Sequence, residues 1–184
     1  MQRNKDGFLS VPVDVSRRVS LKSGTDRGRK IRLTITIALE PPRQDGVIHL
    51  LAQSDAYMAA LYPAESNHLL DIAALEKPEV SFFVARKGEA IVGCVALVAA
   101  VDGSAEIKRM FVDPSARGLK LGRLLMQALE AHGRDRGFSA IRLETGTSQP
   151  EALGLYRACG FQEVGPFGSY AADPLSLFME KPLV

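Results

Sequence analysis

Residues 105 to 126 read AEIKRMFVDPSARGLKLGRLLM, and this stretch decides the fold. An apolar strand is followed by a basic turn that contains glycine, and the turn leads directly into an amphipathic helix. The apolar residues of that helix recur at the spacing of one helical face. They are Leu121, Leu124, Leu125, Ala128 and Leu129. The turn and the first helical residues therefore span residues 117 to 122, named the basic turn below.

The basic turn has the properties of an anion site. Backbone N–H groups at a helix N-terminus lack helical partners, and the positive end of the helix dipole lies there. Arg117, Lys120 and Arg123 add positive charge, while Gly118 and Gly122 allow phosphate oxygens to approach the main chain. The spacing matches neither the P-loop nor the dinucleotide-binding glycine pattern. The donors and charges suit a pyrophosphate, but these residues alone predict only a phosphate-bearing ligand.

The basic turn, RGLKLG, follows the segment MFVDP at residues 110 to 114. Together they resemble the acetyl-CoA pyrophosphate loop of the GNAT acyltransferase superfamily, whose pattern is Arg/Gln-x-x-Gly-x-Gly/Ala. Lys120 stands where that pattern has its first glycine. Residues 150 to 161, PEALGLYRACGF, resemble the second hallmark of the superfamily, Leu-Tyr-x-x-x-Gly-Phe. The resemblance covers about residues 79 to 183.

The resemblance implies a single α/β domain with a mixed, mostly antiparallel central sheet and helices on both faces. It implies an N-acetyltransferase that moves an acetyl group from acetyl-CoA to an amine by direct attack in a ternary complex. Its partner would be a small-molecule or peptide amine, and the proteins that it resembles often form homodimers. No metal is expected, because His49 and His132 have no Asp, Glu or Cys at ligand spacing. The alternative is a non-catalytic module that binds CoA or acyl-CoA.

The resemblance assigns the cofactor site to two neighbouring segments. The strand before the basic turn would splay from its neighbour at a bulge, where its backbone amides hold the pantetheine arm and the thioester oxygen. The residues of this strand segment are Met110, Phe111 and Val112. The pyrophosphate would be held by Arg117, Gly118, Leu119, Lys120, Leu121, Gly122 and Arg123.

Three residues are catalytic candidates. Tyr156 lies where the superfamily has a tyrosine that protonates the CoA thiolate; the alternative is a buried aromatic with a satisfied hydroxyl. Glu106 begins the strand that leads to the basic turn, where some members carry a catalytic glutamate that acts as the base. An edge carboxylate paired with Lys or Arg is the alternative there. Glu144, on the adjacent strand, is the second candidate base, or else a polar strand-end residue.

The acceptor pocket is predicted in two variable segments. Residues 62 to 71 and the loop at residues 165 to 174 resemble those of a bacterial GNAT subgroup of unassigned substrate. The hypothesis is that Glu65, Ser66, His68 and Tyr170 line this pocket. The alternative is that Ser66 is a helix-entry residue and His68 a surface histidine.

The charge distribution divides the chain at residue 30. Residues 1 to 30 contain eight Lys/Arg and three Asp, whereas residues 31 to 184 contain fifteen Lys/Arg and eighteen Asp/Glu. The first segment has no helical or alternating pattern and is interpreted as a basic, flexible extension. Few aromatic residues accompany its charges, so nucleic-acid binding is not expected, although an adaptor function of this extension is a rival interpretation. The resemblance implies that residues 31 to 184 form the N-acetyltransferase domain.

Composition fits one such domain. Of 184 residues 46% are hydrophobic, enough for a sizeable core. The longest apolar run, residues 90 to 101, is too short to cross a bilayer, which predicts a soluble cytoplasmic protein without membrane attachment. Cys94 and Cys159 lack disulfide or metal spacing and are interpreted as reduced thiols. Alternating and helical patterns predict strands near residues 32–38, 80–86 and 90–100, and helices near 47–61 and 69–75.

Overall fold

The secondary structure comes from a computed structural model, which describes residues 19–26, 29–63 and 69–183. The strands are β1 (Val19–Asp26), β2 (Arg29–Leu39), β3 (Val80–Lys87), β4 (Ala90–Ala99), β5 (Ala105–Val112), β6 (Ala140–Gly146), β7 (Gln162–Val164) and β8 (Ser176–Pro182). The helices are α1 (Asp45–Leu61), α2 (Ile72–Leu75), α3 (Leu121–Asp135) and α4 (Pro150–Ala158), with a 3₁₀ turn at Pro114–Ala116. The predicted helices and central strands therefore form within one to three residues of their expected bounds.

Within the described residues, the eight strands form one sheet in the order β1-β2-β3-β4-β5-β6-β8-β7. Neighbouring strands pair antiparallel except for β5 and β6, which are parallel. The connection between these two strands contains the basic turn and α3, as a parallel pair requires a crossover. The sheet is thus mixed and mostly antiparallel, which confirms the predicted fold class.

The two sides of β5 are irregular: its pairing with β6 ends early, and its pairing with β4 contains a bulge. Pairing between β5 and β6 covers only three residues and ends at Ile107↔Leu143, although both strands continue. On the other side, the register between β4 and β5 shifts, so that two residues of β5, Arg109 and Met110, lie opposite Val95 alone. The shift is a β-bulge of the kind often found next to active sites. Beyond this bulge β5 runs toward the basic turn, with its far end unpaired to β6.

Helices cover both faces of the sheet because β3 and β4 present apolar side chains on both faces. Phe83 and Ala85 pack on the side of α3 and α4, whereas Phe82 and Val84 pack on the side of α1 and α2. The larger core includes Leu97, Leu125, Leu129, Ile141 and Leu143, each at most 1% exposed. Burial of one such side chain stabilises the fold by about 1.5 to 3 kcal/mol. The apolar face of α3, read from the sequence, is therefore the face that holds the basic turn against the sheet.

The N-terminal part differs from the sequence interpretation. Residues 19 to 26, which we expected to belong to an extension without strands, form β1 and pair with β2. The expectation failed because β1 has only Val19 and Leu21 as an alternating signal, and a bulge between Lys22 and Thr25 interrupts its register. Residues 1 to 18 lie outside the described part of the chain, so the domain boundary at residue 30 remains a prediction. No helix among the described residues has the length and apolar character of a membrane span.

His132 on α3 makes the stability of the fold depend on pH. Its ring is 5% exposed, its Nε2 lies 2.8 Å from the Ser81 hydroxyl, and its Nδ1 has no partner among the described residues. Burial lowers the pKa of His132, and the charge of Arg136 lowers it further. The unfolded chain, with a histidine pKa of about 6.5, therefore binds more protons in the window below that value. The free energy of unfolding should fall there as the pH decreases.

We expect His132→Gln to flatten this dependence between about pH 7 and pH 5, by up to about 1.4 kcal/mol per pH unit. Urea denaturation at a series of pH values measures the effect. His49→Gln is the control for the substitution itself, because His49 is an exposed histidine on α1. Equal slopes for the parent and His132→Gln would contradict the assignment.

Candidate active site

A cleft of about 550 Å³ lies between α1, the end of β5, the basic turn and α4. This main cleft has a volume typical of ligand pockets. Eight of the ten predicted cofactor residues line it: Met110, Phe111, Val112, Arg117, Gly118, Lys120, Leu121 and Gly122. Leu119 and Arg123 are absent from this lining within the described residues, and Arg123 instead donates through Nη2 to the carbonyl of Ala158 at 3.3 Å. The structure therefore brings the strand segment and the basic turn together around one cleft.

The basic turn has an unusual backbone. Gly118 (φ 81°) and Lys120 (φ 56°) both have left-handed conformations, and Lys120 is the N-cap of α3. The first amides of this fifteen-residue helix point toward the turn, where helix geometry leaves them without helical acceptors. Gly122 has a packing reason: a Cβ there would lie 3.0 Å from the Leu155 side chain on α4. The turn thus combines open backbone donors with close contact between α3 and α4.

Tyr156 lies at the inner end of the main cleft. Its side chain is 6% exposed, and with Met110 and Gln149 it lines both the main cleft and a smaller inner cavity of about 90 Å³. Burial raises the pKa of Tyr156, and the charges of Glu144 and Cys159 raise it further. The phenol therefore remains protonated at neutral pH and can act as a proton donor.

The two candidate bases lie in different cavities. Glu144 on β6 lines the inner cavity with Tyr156, and its Oε1 accepts a hydrogen bond from the Ser176 hydroxyl at 2.6 Å. Glu106 on β5 lines a separate outer cavity of about 740 Å³. Glu106 Oε1 lies 2.9 Å from Lys108 Nζ. This is the carboxylate–lysine pairing that was stated as the alternative to a catalytic base at Glu106.

Tyr170 is brought to Glu106 in the outer cavity. Its hydroxyl donates to Glu106 Oε1 at 2.7 Å and also contacts Lys108 Nζ. Burial raises the pKa of Tyr170, and the hydrogen bond to Glu106 adds to the increase. Lys108 and Leu69 line both the inner and the outer cavity, so the two spaces adjoin. The other predicted acceptor residues, Glu65, Ser66 and His68, lie outside the described residues.

The cysteines do not form part of this lining in the described structure. Burial raises the pKa of the Cys94 thiol to about 12, and its Sγ contacts the carbonyl of Arg109 at 3.6 Å. Burial also raises the pKa of Cys159, which is partly exposed at the end of α4. Raised pKa values disfavour the thiolate form that a nucleophile needs. Among the described residues no group of three or more His, Cys, Asp and Glu side chains could hold a metal ion.

Residues 47–161 match the model of the Acetyltransferase (GNAT) family. The chain belongs to this family. IAA acetyltransferase of Azospirillum brasilense is 52% identical over 150 residues, which cover 81% of this chain and 98% of that protein. A solved structure from Klebsiella pneumoniae, assigned as an acyl-CoA N-acyltransferase, has a TM-score of 0.69 and 38% identity, covering 82% of this chain and 98% of the other. PaiA N-acetyltransferase of Thermoplasma acidophilum, solved with coenzyme A, shares the fold at 18% identity and a TM-score of 0.63. The match covers 80% of this chain and 98% of the other.

This GNAT protein is an acetyl-CoA-dependent N-acetyltransferase, with acetyl-CoA as its cosubstrate. The predicted superfamily, enzyme class and cosubstrate are thereby confirmed. The structure also explains the glycine of the GNAT pattern, which Lys120 replaces here. Lys120 has a left-handed φ of 56°. Glycine adopts this conformation freely, whereas it costs other residues about 1 to 2 kcal/mol.

We expect Lys120→Gly to change the free energy of unfolding by less than about 1 kcal/mol, because relief of the left-handed strain offsets the greater freedom of the unfolded chain. Arg123→Gly is the matched control, since Arg123 lies in the first turn of α3 and glycine costs about 1 kcal/mol in a helix. Chemical denaturation of both variants measures the difference. Equal destabilisation by the two substitutions would show that Lys120 is not strained.

Sequence reasoning missed Lys108, Arg109 and Gln149, which line the cavities around Tyr156. One signal was available for Arg109. By strict alternation along β5, Arg109 should share the face of the buried Ala105 and Ile107, where an apolar residue is expected. The bulge instead turns the arginine to the opposite face of the sheet, where it meets Asp55 of α1. Gln149 carried no comparable signal, because its position depends on how α4 packs.

Proposed function

We propose that this GNAT enzyme transfers the acetyl group from acetyl-CoA directly to an amine in a ternary complex. In this proposal acetyl-CoA occupies the main cleft, and the amine reaches it from the outer cavity through the inner cavity. The observation that carries the proposal is that the three spaces adjoin through shared lining residues. Tyr156, Met110 and Gln149 belong to both the main cleft and the inner cavity, and Lys108 belongs to both the inner and the outer cavity.

The residues of the main cleft fit the chemistry of acetyl-CoA. Arg117 and Lys120 supply positive charge beside the open amides at the start of α3, as a pyrophosphate requires. The end of β5 is unpaired to β6 beyond Ile107, which leaves backbone groups of Met110 to Val112 to contact an extended pantetheine arm. We assign the pyrophosphate to the basic turn and the thioester to the bulge of β5.

Acetyl-CoA supplies a thioester, whose carbonyl carbon bonds to the amine nitrogen while the bond to sulfur breaks. We assign Tyr156 as the proton donor to the leaving sulfur, which supports the release of neutral CoA thiol. The assignment is supported by the place of Tyr156 in the lining of both the main cleft and the inner cavity. We assign the backbone amides of the β5 bulge to the thioester oxygen, whose negative charge grows during attack.

An amine with a pKa of about 10.4 must lose a proton to become a nucleophile. We assign this base function to Glu144, directly or through water, because Glu144 shares the inner cavity with Tyr156. Glu106 is the weaker candidate, since Lys108 and Tyr170 occupy one of its oxygens in the outer cavity. We assign Glu106 and Tyr170 to contact with the acceptor instead. Glu65, Ser66 and His68 remain predicted contacts from the neighbouring segment, and the homodimer also remains a prediction.

The experiment that tests this proposal combines binding and turnover. Melting temperature is measured with and without acetyl-CoA and CoA, since ligands of the folded state raise it. Thiol release is then followed against small amines, amino acids, peptide N-termini and IAA, the compound in the name of the Azospirillum relative. We expect a higher melting temperature and thiol release with one amine class. A thermal shift without release for any amine would instead favour a module that only binds CoA.

A further inference from the structure

Arg109 stands in a backbone conformation that does not favour arginine. Its φ is 54°, and Lys120 is the other described non-glycine residue with a positive φ. Arg109 and Met110 form the bulge of β5 opposite Val95. Glycine adopts this conformation without a steric penalty. The backbone therefore gives no reason for an arginine, and the reason must lie in its side chain.

The side chain of Arg109 is buried beneath α1. It is 2% exposed, and its Nη1 lies 2.5 Å from Oδ1 of Asp55, which is 51% exposed. Nη2 donates to the carbonyl of Leu51 at 3.3 Å, while Nε has no partner among the described residues. A buried cation with an unsatisfied donor is unfavourable for folding. Violations of local rules of this kind concentrate at functional sites.

The contacts of Arg109 join the two walls of the active site. Gln53, Ala56 and Tyr57 of α1 form one wall of the main cleft, and they flank Asp55 in the sequence. Met110, which follows Arg109 directly, lies in the part of the lining that β5 supplies and also borders the inner cavity with Tyr156. The ion pair between Arg109 and Asp55 thus links α1 to the part of β5 nearest Tyr156.

We propose that Arg109 is a positioning residue: its ion pair with Asp55 fixes α1 relative to the β5 bulge and so sets the thioester against Tyr156. This inference rests on the proposed function, which places the thioester at the bulge. Reactive groups need alignment within fractions of an ångström, and a displacement of about 1 Å can cost about 100-fold in rate. A buried ion pair at the bulge restricts such displacements.

The test uses Asp55→Ala, because Asp55 is half exposed and its truncation opens no cavity in the core. We expect kcat to fall by about tenfold or more and the Kd of acetyl-CoA to rise about threefold or more. Asp55→Asn should restore most of both values, since its amide oxygen can still accept from Nη1. The matched control is Glu76→Ala, which removes the carboxylate partner of Arg43 on the exposed surface. It should leave both values within about twofold of the parent.

A double substitution separates positioning from general loosening. If Arg109 acts by aligning the thioester with Tyr156, adding Asp55→Ala to Tyr156→Phe should lower kcat by less than about threefold. Additive losses, or an Asp55→Ala variant with unchanged kcat and Kd, would overturn the inference. Absence of thiol release by the parent with every amine would refute the proposed function instead. In that case the Kd of Asp55→Ala for acetyl-CoA would still test the positioning role of Arg109. An unchanged Kd would refute that role.

Discussion

Tyr156→Phe should lower kcat by about 100-fold or more, because a positioned general acid contributes about 10²- to 10⁴-fold. The Kd of acetyl-CoA should stay within about twofold, since the change removes one oxygen and leaves the ring packed against Phe161. The physical reason is the phenolic hydroxyl placed where the main cleft and the inner cavity meet, which phenylalanine lacks. Single-turnover kinetics with saturating amine, together with direct titration of acetyl-CoA, measure the two quantities.

Cys159→Ala is the control for this prediction. Cys159 lies near Tyr156 at the end of α4, and direct transfer needs no thiol of the enzyme. We therefore expect its kcat to equal that of the parent. Loss of activity in Cys159→Ala with intact CoA binding would indicate an acylated enzyme and would refute direct transfer. Full activity of Tyr156→Phe would show that another group protonates the thiolate.

Gly146→Ala should destabilise the protein by about 2 to 4 kcal/mol, because overpacking of a closed site forces backbone or ring displacement. A Cβ at this end of β6 would overlap Cζ and the hydroxyl of Tyr62. Tyr62 has little room to move, since it is 5% exposed and its hydroxyl accepts from the Ser148 amide at 2.8 Å. Urea denaturation measures the loss, and the melting temperature should fall in parallel.

Gly154→Ala provides the contrast on α4. A Cβ at Gly154 meets no atom of the described residues within 4 Å, and alanine is preferred to glycine in a helix. We expect this variant to be more stable than the parent by about 0.5 to 1 kcal/mol. A similar loss in both variants would mean that Tyr62 does not restrict residue 146.

The closeness of the end of β5 to the basic turn was predictable, because these two parts of the main cleft adjoin in the sequence. The apolar spacing from Leu121 to Leu129 defines one face of α3, and that face can be buried only against the sheet. Burial of this face leaves the start of α3 and the basic turn beyond the C-terminal end of β5, where the main cleft lies. The resemblance to the superfamily pattern indicated acetyl-CoA as the ligand. The residues alone left the identity of the ligand open.

The choice between Glu106 and Glu144 was not predictable in this way. Both carboxylates are on strands beside the basic turn, and strand alternation places neither of them in a particular cavity. The short β5–β6 pairing and the loop that carries Tyr170 put Glu106 in the outer cavity and Glu144 beside Tyr156. Residues 62 to 71 and 165 to 174 have no repeating pattern from which such contacts could be derived.

The sequence by itself determined the strand, the basic turn and the helix, since local periodicity and helix-end chemistry depend on neighbours only a few residues away. Tertiary structure alone decided the bulge of β5, the left-handed backbone at Arg109 and the ion pair with Asp55, 54 residues earlier. It also decided which carboxylate lies beside Tyr156. These features depend on contacts between distant segments, whose energies outweigh the local preferences of the residues involved.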